Sequence, residues 1–297
     1  MDAITRIDRA LSVAVEQSLE AAVAQVGGPR CPAKLAAAVR YAVFPGGARI
    51  RPRLCLAVAC ACGEDDPTIA DAAGTAIELL HCASLVHDDL PCFDDAPTRR
   101  GKPSVHRAFG ERLAVLTGDA LIVLAFQTLA RAGAVAPQRL APLLLTIARG
   151  VGMPSGIVAG QAWECEPQAD LAEYQRAKTG ALFAAATMAG AAATGADPAP
   201  WRCLGAQLGE AFQVADDLRD AVGNPDDLGK PTGRDAALGR PSAVLELGIR
   251  GAIERLEDLV REAVDSIPAC SGAAALRTLM LAEAQRFLPT SLARVAA

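Results

Sequence analysis

The sequence predicts an all-α fold in a single large domain spanning residues 1–297, and three observations carry that expectation. Long Ala/Leu/Val segments place apolar residues at helical spacing, with almost none of the Val/Ile/Thr alternation that marks strands. Hydrophobic residues make up 52% of the chain and charged residues 21%, enough apolar material for a core and too little charge for a disordered chain. Glycine and proline gather in short clusters between these segments, where they punctuate helices without forming a linker.

Taken in order, the first segment runs to a break at Gly27–Pro32. It mixes charges with apolar positions and has no uninterrupted apolar run of the secretory kind, so a cytoplasmic protein is expected. Further breaks fall at Pro45–Gly47 and Cys62–Pro67, and the helix that follows is interrupted by Pro91 at the head of a break reaching Pro103. Beyond it, helical pattern extends to Gly195–Pro200, resumes to Gly223, and returns after Pro241. The charge-free run between Lys178 and Asp197 is rich in Ala, Gly and Thr and reads as a buried core helix, with no transmembrane segment expected. Roughly ten or more helices result.

Charge excludes one large class of function. A formal net charge of -5 lacks the basic surface that nucleic acid requires, so no nucleic acid partner is expected. The nine cysteines are scattered without a CxxC pair, as suits reduced thiols packed as small hydrophobes.

Functional residue types concentrate at two places. The first is the run His81-Cys-Ala-Ser-Leu-Val-His87-Asp88-Asp89-Leu-Pro-Cys-Phe-Asp94-Asp95, followed by Arg99-Arg100-Gly101-Lys102. Four carboxylates in eight residues repel one another unless a cation sits among them, and hard oxygen ligands in that number suit Mg²⁺ shared with phosphate oxygens. The second is Gln213-Val-Ala-Asp216-Asp217-Leu-Arg-Asp220. At 100° per residue its three aspartates fall within one quarter of a helix, with Gln213 on the same arc. Two such clusters could face each other across a cavity and share metal ions through a diphosphate. Cations recur beside glycine or proline at Arg49, Arg51, Arg53, Arg99, Arg100, Lys102, Lys178 and Lys230, near turns where they could converge on a phosphorylated ligand.

These motifs resemble the trans-isoprenyl diphosphate synthases, also called polyprenyl synthetases, and among them the bacterial carotenoid-pathway geranylgeranyl diphosphate synthases. Asp88-Asp89-x4-Asp94 is similar to the first aspartate-rich motif of that family in its longer form, and Asp216-Asp217-x2-Asp220 to the second. The match also takes in FPGGARIRPRL at 44–54, GDAL at 118–121, GQAWE at 160–164, KTGALF at 178–183 and GKPTGRD from Gly229. The resemblance implies an all-helical fold around a deep central cavity, usually in a homodimer. It implies magnesium held by Asp88, Asp89, Asp94, Asp216, Asp217 and Asp220, three ions with the allylic diphosphate.

Arg99, Lys178, Thr179, Gln213 and Lys230 then correspond to groups around the allylic diphosphate, and Arg51, His81 and Arg100 to the isopentenyl diphosphate site. Lys178 joins the aspartates as a catalytic candidate. Ala83 and Ser84 correspond to the floor of the product tail, where small side chains imply the twenty-carbon geranylgeranyl diphosphate. Ala48 departs from the pattern, standing where the family usually has lysine. Three alternatives stay open at this point: a farnesyl diphosphate synthase, a terpene cyclase or head-to-head synthase, and a catalytically weak partner subunit of a related synthase. Only 4% of residues are aromatic, which counts against shielding cyclic cations.

Overall fold

The structure is a computed structural model that describes residues 3–44, 46–167, 171–222 and 242–285. Among these residues it contains thirteen α-helices and one two-stranded ribbon, the all-α fold expected. The chain divides into two compact units, Met1–Ile147 with Ala189–Pro198, and Ala148–Met188 with Ala199–Ala297.

In the first unit α1 (Ala3–Ala24), α2 (Ala33–Val43) and α3 (Ile50–Ala61) surround α4 (Pro67–Asp88), which also packs along α6 (Glu111–Ala132). Helix α4 starts sharply because Asp66 accepts the Thr68 amide at 2.9 Å and Pro67 supplies a preset φ at the first helical position. It is buried on nearly every side, from Ile69 through Ile77, Leu79 and Leu80 to Ala83 and Val86. Pro91 prevents its continuation, so α4 ends at Asp88 and presents its last turn beside the acidic run.

The break between Pro91 and Pro103 contains an element the hydrophobic pattern does not show. Strands β1 (Thr98–Arg99) and β2 (Lys102–Pro103) pair antiparallel, with Arg99 opposite Lys102. Arg100 and Gly101 form the connection with φ of 53° and 74°, the two positive values that a tight two-residue hairpin needs. The Tyr41 hydroxyl donates to the Pro103 carbonyl at 2.8 Å and ties the ribbon to α2. The long helical region beyond Pro103 is more divided than its pattern suggests. It comprises α5 (Val105–Phe109), α6, α7 (Pro137–Val151), α8 (Ile157–Ala162), α9 (Leu171–Gln175) and α10 (Ala181–Thr194). Gly110, at φ 88°, separates α5 from α6.

The charge-free run is the core helix expected: in α10, Leu182, Phe183, Ala186, Ala189 and Ala191 are each 0 or 1% exposed. In the second unit α11 (Arg202–Val222) packs against α12 (Ala243–Asp265), and α13 (Ala273–Gln285) follows. Phe183 meets Phe212 with ring centroids 5.5 Å apart, while the Thr187 hydroxyl donates to the Trp201 carbonyl at 2.7 Å.

Two described helices, α4 and α6, are long and apolar enough to cross a membrane by length and composition. The apolar window of α4 is 78% buried inside the protein, whereas that of α6 is 39% buried and leaves Val115, Leu116 and Val123 exposed. Helix α10 approaches α3 so closely that a Cβ at Gly190 would fall 2.3 Å from the Cys55 carbonyl oxygen, a backbone atom that cannot swing away. Gly190→Ala is therefore expected to lower stability by about 1–3 kcal/mol through overpacking, against the usual helix gain of about 1 kcal/mol for replacing glycine. Denaturant midpoints of the two proteins measure it, and an unchanged or raised midpoint would contradict the packing described.

Candidate functional site

The first acidic run is built as a loop that folds back on the end of α4. The Asp94 amide donates to the Asp88 carbonyl at 3.0 Å and the Asp95 amide to the Leu90 carbonyl at 3.0 Å, so Asp94 returns beside Asp88 across five intervening residues. Asp88 and Asp94 remain half-exposed. Asp89 does not join them. It is 2% exposed and takes a forked ion pair from Arg99, whose Nε lies 3.0 and 3.2 Å from its two oxygens while a terminal nitrogen makes the closest bond. Burial pushes the Asp89 carboxyl above its ordinary range, and the Arg99 guanidinium opposes that shift.

Asp89, grouped by resemblance with the metal ligands, and Arg99, grouped with the diphosphate contacts, are thus spent largely on each other. Successive helical residues diverge by about 100°, so two adjoining aspartates at a helix end cannot share one direction. On the far side of the loop Arg107 donates to Asp95 at 2.9 Å, and a buried histidine that residue order alone does not mark lies close by. His106, 6% exposed, lies with Nε2 3.4 Å from Asp95, while Nδ1 is 3.0 Å from the Ser104 hydroxyl. The only sequence signal for it was the closeness of His106 to the acidic run.

The cations of the same unit separate into two kinds. Arg53 pairs with Asp8, and Arg49, with its side chain only 4% exposed, reaches Glu78 at 2.6 Å, Glu16 at 2.8 Å and the Val43 carbonyl at 2.8 Å. Those two are structural. Arg51, between them, instead brings a terminal nitrogen to 3.4 Å from His81 Nε2. Desolvation lowers the Arg51 guanidinium to about 10, which leaves it charged at neutral pH. Burial, and then the positive charges of Arg51 and Arg100, hold the His81 imidazole well below its usual value, hence neutral. Arg100 rests against the turn at Gly47, where an added Cβ would lie 3.0 Å from its Nε. Arg51, His81 and Arg100 lie close together, two cations with one neutral imidazole. Nearby, a cleft is lined by Tyr41, Cys82, Asp89, Arg99, Arg100 and Lys102. Ala83 is 2% exposed and Ser84 bonds the His81 carbonyl through Oγ at 2.8 Å, so neither lines that cleft.

The second acidic cluster shows the same division. On α11, Asp216 and Asp220 are half-exposed, whereas Asp217 is 4% exposed and turned inward. One Asp217 oxygen accepts from Gln213 Nε2 at 3.1 Å, and the other accepts the Ala243 amide at 2.8 Å, at the start of α12. The quarter-circle grouping of the three aspartates is corrected accordingly: the 100° step carries Asp217 onto the packed face. Gln213 extends the chain, since its Oε1 accepts from the Thr179 hydroxyl at 3.2 Å.

Thr179 and Lys178 sit in a π-helical turn, Arg176–Gly180, a local widening that often marks functional positions. Helix α8 touches this turn: a Cβ at Gly160 would fall 2.4 Å from the Lys178 amide nitrogen. Lys178 Nζ is 2.5 Å from Glu164, which also accepts from the Tyr174 hydroxyl at 2.6 Å. Sequence reasoning had noted Glu164 only within GQAWE, without this partner. Lys230 lies outside the described residues.

Chemically, half-exposed carboxylate pairs supply hard oxygen donors, and the Arg51–His81–Arg100 group suits a phosphorylated anion. Among the described residues no three His, Cys, Asp or Glu side chains converge as a protein-only metal cage. Such a donor set fits Mg²⁺, which keeps few protein carboxylates and completes its shell with phosphate and water oxygens.

The polyprenyl synthetase family model matches residues 32–275. A geranylgeranyl diphosphate synthase of Cereibacter sphaeroides is 56% identical over 279 residues, covering 94% of this chain and 97% of that one. Another from Rhodobacter capsulatus is 50% identical over 280 residues, covering 93% and 97%. A crystal structure of a Helicobacter pylori geranyltransferase complexed with magnesium and isoprenyl diphosphate superposes with a TM-score of 0.75 at 30% identity, covering 93% of this chain and 96% of that one.

The inward and outward aspartates are expected to differ in what they hold. Asp217→Ala strands the Ala243 amide and should lower stability by about 1–3 kcal/mol, whereas Asp216→Ala should stay within about 0.5 kcal/mol of the parent. Thermal or urea unfolding of both variants checks the split. Equal losses would show that Asp217 is not a tie between α11 and α12.

Proposed function

The chain belongs to the polyprenyl synthetase family, and from that premise we propose that it is a geranylgeranyl diphosphate synthase, condensing isopentenyl diphosphate with an allylic diphosphate. The observation that carries the reading is the pairing of outward carboxylates with a separate cationic group. Asp88 and Asp94 in one unit, and Asp216 and Asp220 in the other, are half-exposed beside an inward aspartate already held by the protein. Arg51, His81 and Arg100 form a cationic, proton-poor group suited to a second diphosphate. The family match runs continuously across both compact units, which supports reading residues 1–297 as one synthase domain.

Asp88, Asp94, Asp216 and Asp220 would hold Mg²⁺, whose chemistry is to draw off charge from a departing diphosphate. In this assignment Asp89 and Asp217 orient their neighbours through Arg99 and through Gln213 with the α12 amide. Lys178, Thr179 and Gln213, with Lys230, bind the allylic diphosphate oxygens. Arg51, His81 and Arg100 hold isopentenyl diphosphate, whose double bond attacks the allylic carbon as its C–O bond breaks. The neutral His81 offers hydrogen bonding without giving up a proton, and the proton lost after condensation passes to the released diphosphate. No protein nucleophile is required.

We further read the protein as a cytoplasmic homodimer, the exposed Val115, Leu116 and Val123 of α6 being the apolar face that a second copy would cover.

Asp88→Ala and Asp216→Ala should each cut turnover on the order of 10²–10³-fold at saturating Mg²⁺ with the unfolding midpoint unchanged. A variant retaining a tenth of parental activity sinks the metal assignment. For product length, the parent with farnesyl diphosphate and isopentenyl diphosphate should yield the twenty-carbon alcohol after dephosphorylation, and Ala83→Phe should shift the main product to fifteen carbons by filling space the tail needs. Chromatography separates the two alcohols. A parent that stops at fifteen carbons contradicts the product assignment, and a Phe variant that still makes twenty places the floor elsewhere.

A further inference from the structure

We propose that Arg49 and Glu78 form a positioning pair for the isopentenyl diphosphate site, setting the register in which Arg51 meets His81. The inference rests on the reading that Arg51, His81 and Arg100 bind that diphosphate. Arg49 lies at the junction of four helices. Its guanidinium reaches Glu16 of α1, the carbonyl of Val43 at the end of α2, and Glu78 of α4, while its own backbone begins α3. Three anionic or carbonyl partners at 2.6–2.8 Å leave little freedom for the guanidinium, and Glu78 is itself 2% exposed.

The backbone is as constrained as the side chain. Arg49 has φ 50° and ψ 35°, a left-handed conformation that side chains other than glycine, asparagine and aspartate seldom adopt, and one that persists only where surrounding contacts enforce it. The neighbouring turn is shaped around the same group, because a Cβ at Gly46 would fall 2.0 Å from the guanidinium carbon. This left-handed residue turns the chain from the glycine pair into α3, and α3 carries Arg51 in its first turn.

The spacing then links the buried pair to the site. Arg51 follows Arg49 by two residues, and His81 follows Glu78 by three, close to one turn of α4. The 2.6 Å bond between Arg49 and Glu78 is thus paralleled, one step along both helices, by the 3.4 Å approach of Arg51 to His81. A shift of α3 against α4 would break both together. Arg49 itself is 6% exposed and surrounded by its partners, so it acts on the diphosphate through Arg51 and not by contact.

The test uses the full chain, with isopentenyl diphosphate varied at saturating allylic diphosphate and the reverse, for Glu78→Gln, Arg49→Gln, Arg49→Lys and Arg51→Gln. All four are expected to raise KM for isopentenyl diphosphate roughly tenfold or more, with kcat at saturation within about twofold and KM for the allylic substrate unchanged. A merely structural role would lower the unfolding midpoint and the amount of active enzyme without moving that single KM. Arg49→Lys should fail to rescue, since an ammonium cannot serve the planar, forked set of partners that the guanidinium does. Should the Arg49 variants not fold, Glu78→Gln carries the test alone, because it keeps a hydrogen-bond acceptor for Arg49. The proposal is overturned if Arg51→Gln raises KM while Glu78→Gln or Arg49→Lys keeps the parental value. An unchanged KM in Arg51→Gln overturns it as well, and marks the site reading itself as the failure.

Discussion

Removing a carboxylate or guanidinium from water costs several kcal/mol unless a partner and hydrogen bonds replace the solvent, and this chain meets that cost at helix ends. Arg49 starts α3 while neutralising Glu78, Arg99 of the ribbon closes on Asp89 at the end of α4, and Asp217 of α11 accepts the first amide of α12. In each case one buried charge joins elements that the apolar core alone would leave free to slide. The small side chains of the core make such ties important. Helix α10 is lined by alanine and glycine, which permit close approach but interdigitate little.

From that constraint follows the division of labour inside both acidic clusters. Two adjoining aspartates diverge by a quarter turn or more, so one faces the packed interior and must be paired while the other faces outward. Asp89 and Asp217 take the inward role, and Asp88 and Asp216 the outward one. The doubled aspartate therefore places one carboxylate toward the outside and one in a packed tie.

The arginines sort themselves by the same rule. Within GGARIRPR, alternate positions 49, 51 and 53 all carry a guanidinium, yet Arg49 and Arg53 are consumed by Glu78, Glu16 and Asp8 while Arg51 turns to His81. Burial together with two neighbouring guanidinium groups keeps His81 neutral, so the group presents positive charge and a hydrogen-bonding ring with no proton to release.

Helix content, the buried run of α10, the end of α4 before Pro91 and the two acidic motifs could all be read from residue order, because periodicity, proline geometry and charge density are local properties. The family resemblance was legible for the same reason, as its motifs are short and contiguous. The ribbon at Thr98–Pro103 was not, since four strand residues carry no periodicity and depend on a positive-φ turn and on the Tyr41 hydroxyl from 62 residues away. Nor could sequence say which aspartate of each pair turns inward, or which of three arginines turns to His81. Those choices depend on where Arg99, Glu78, Asp8 and the Ala243 amide lie in space, and partners 10 to 45 residues distant are brought close only when helices pack.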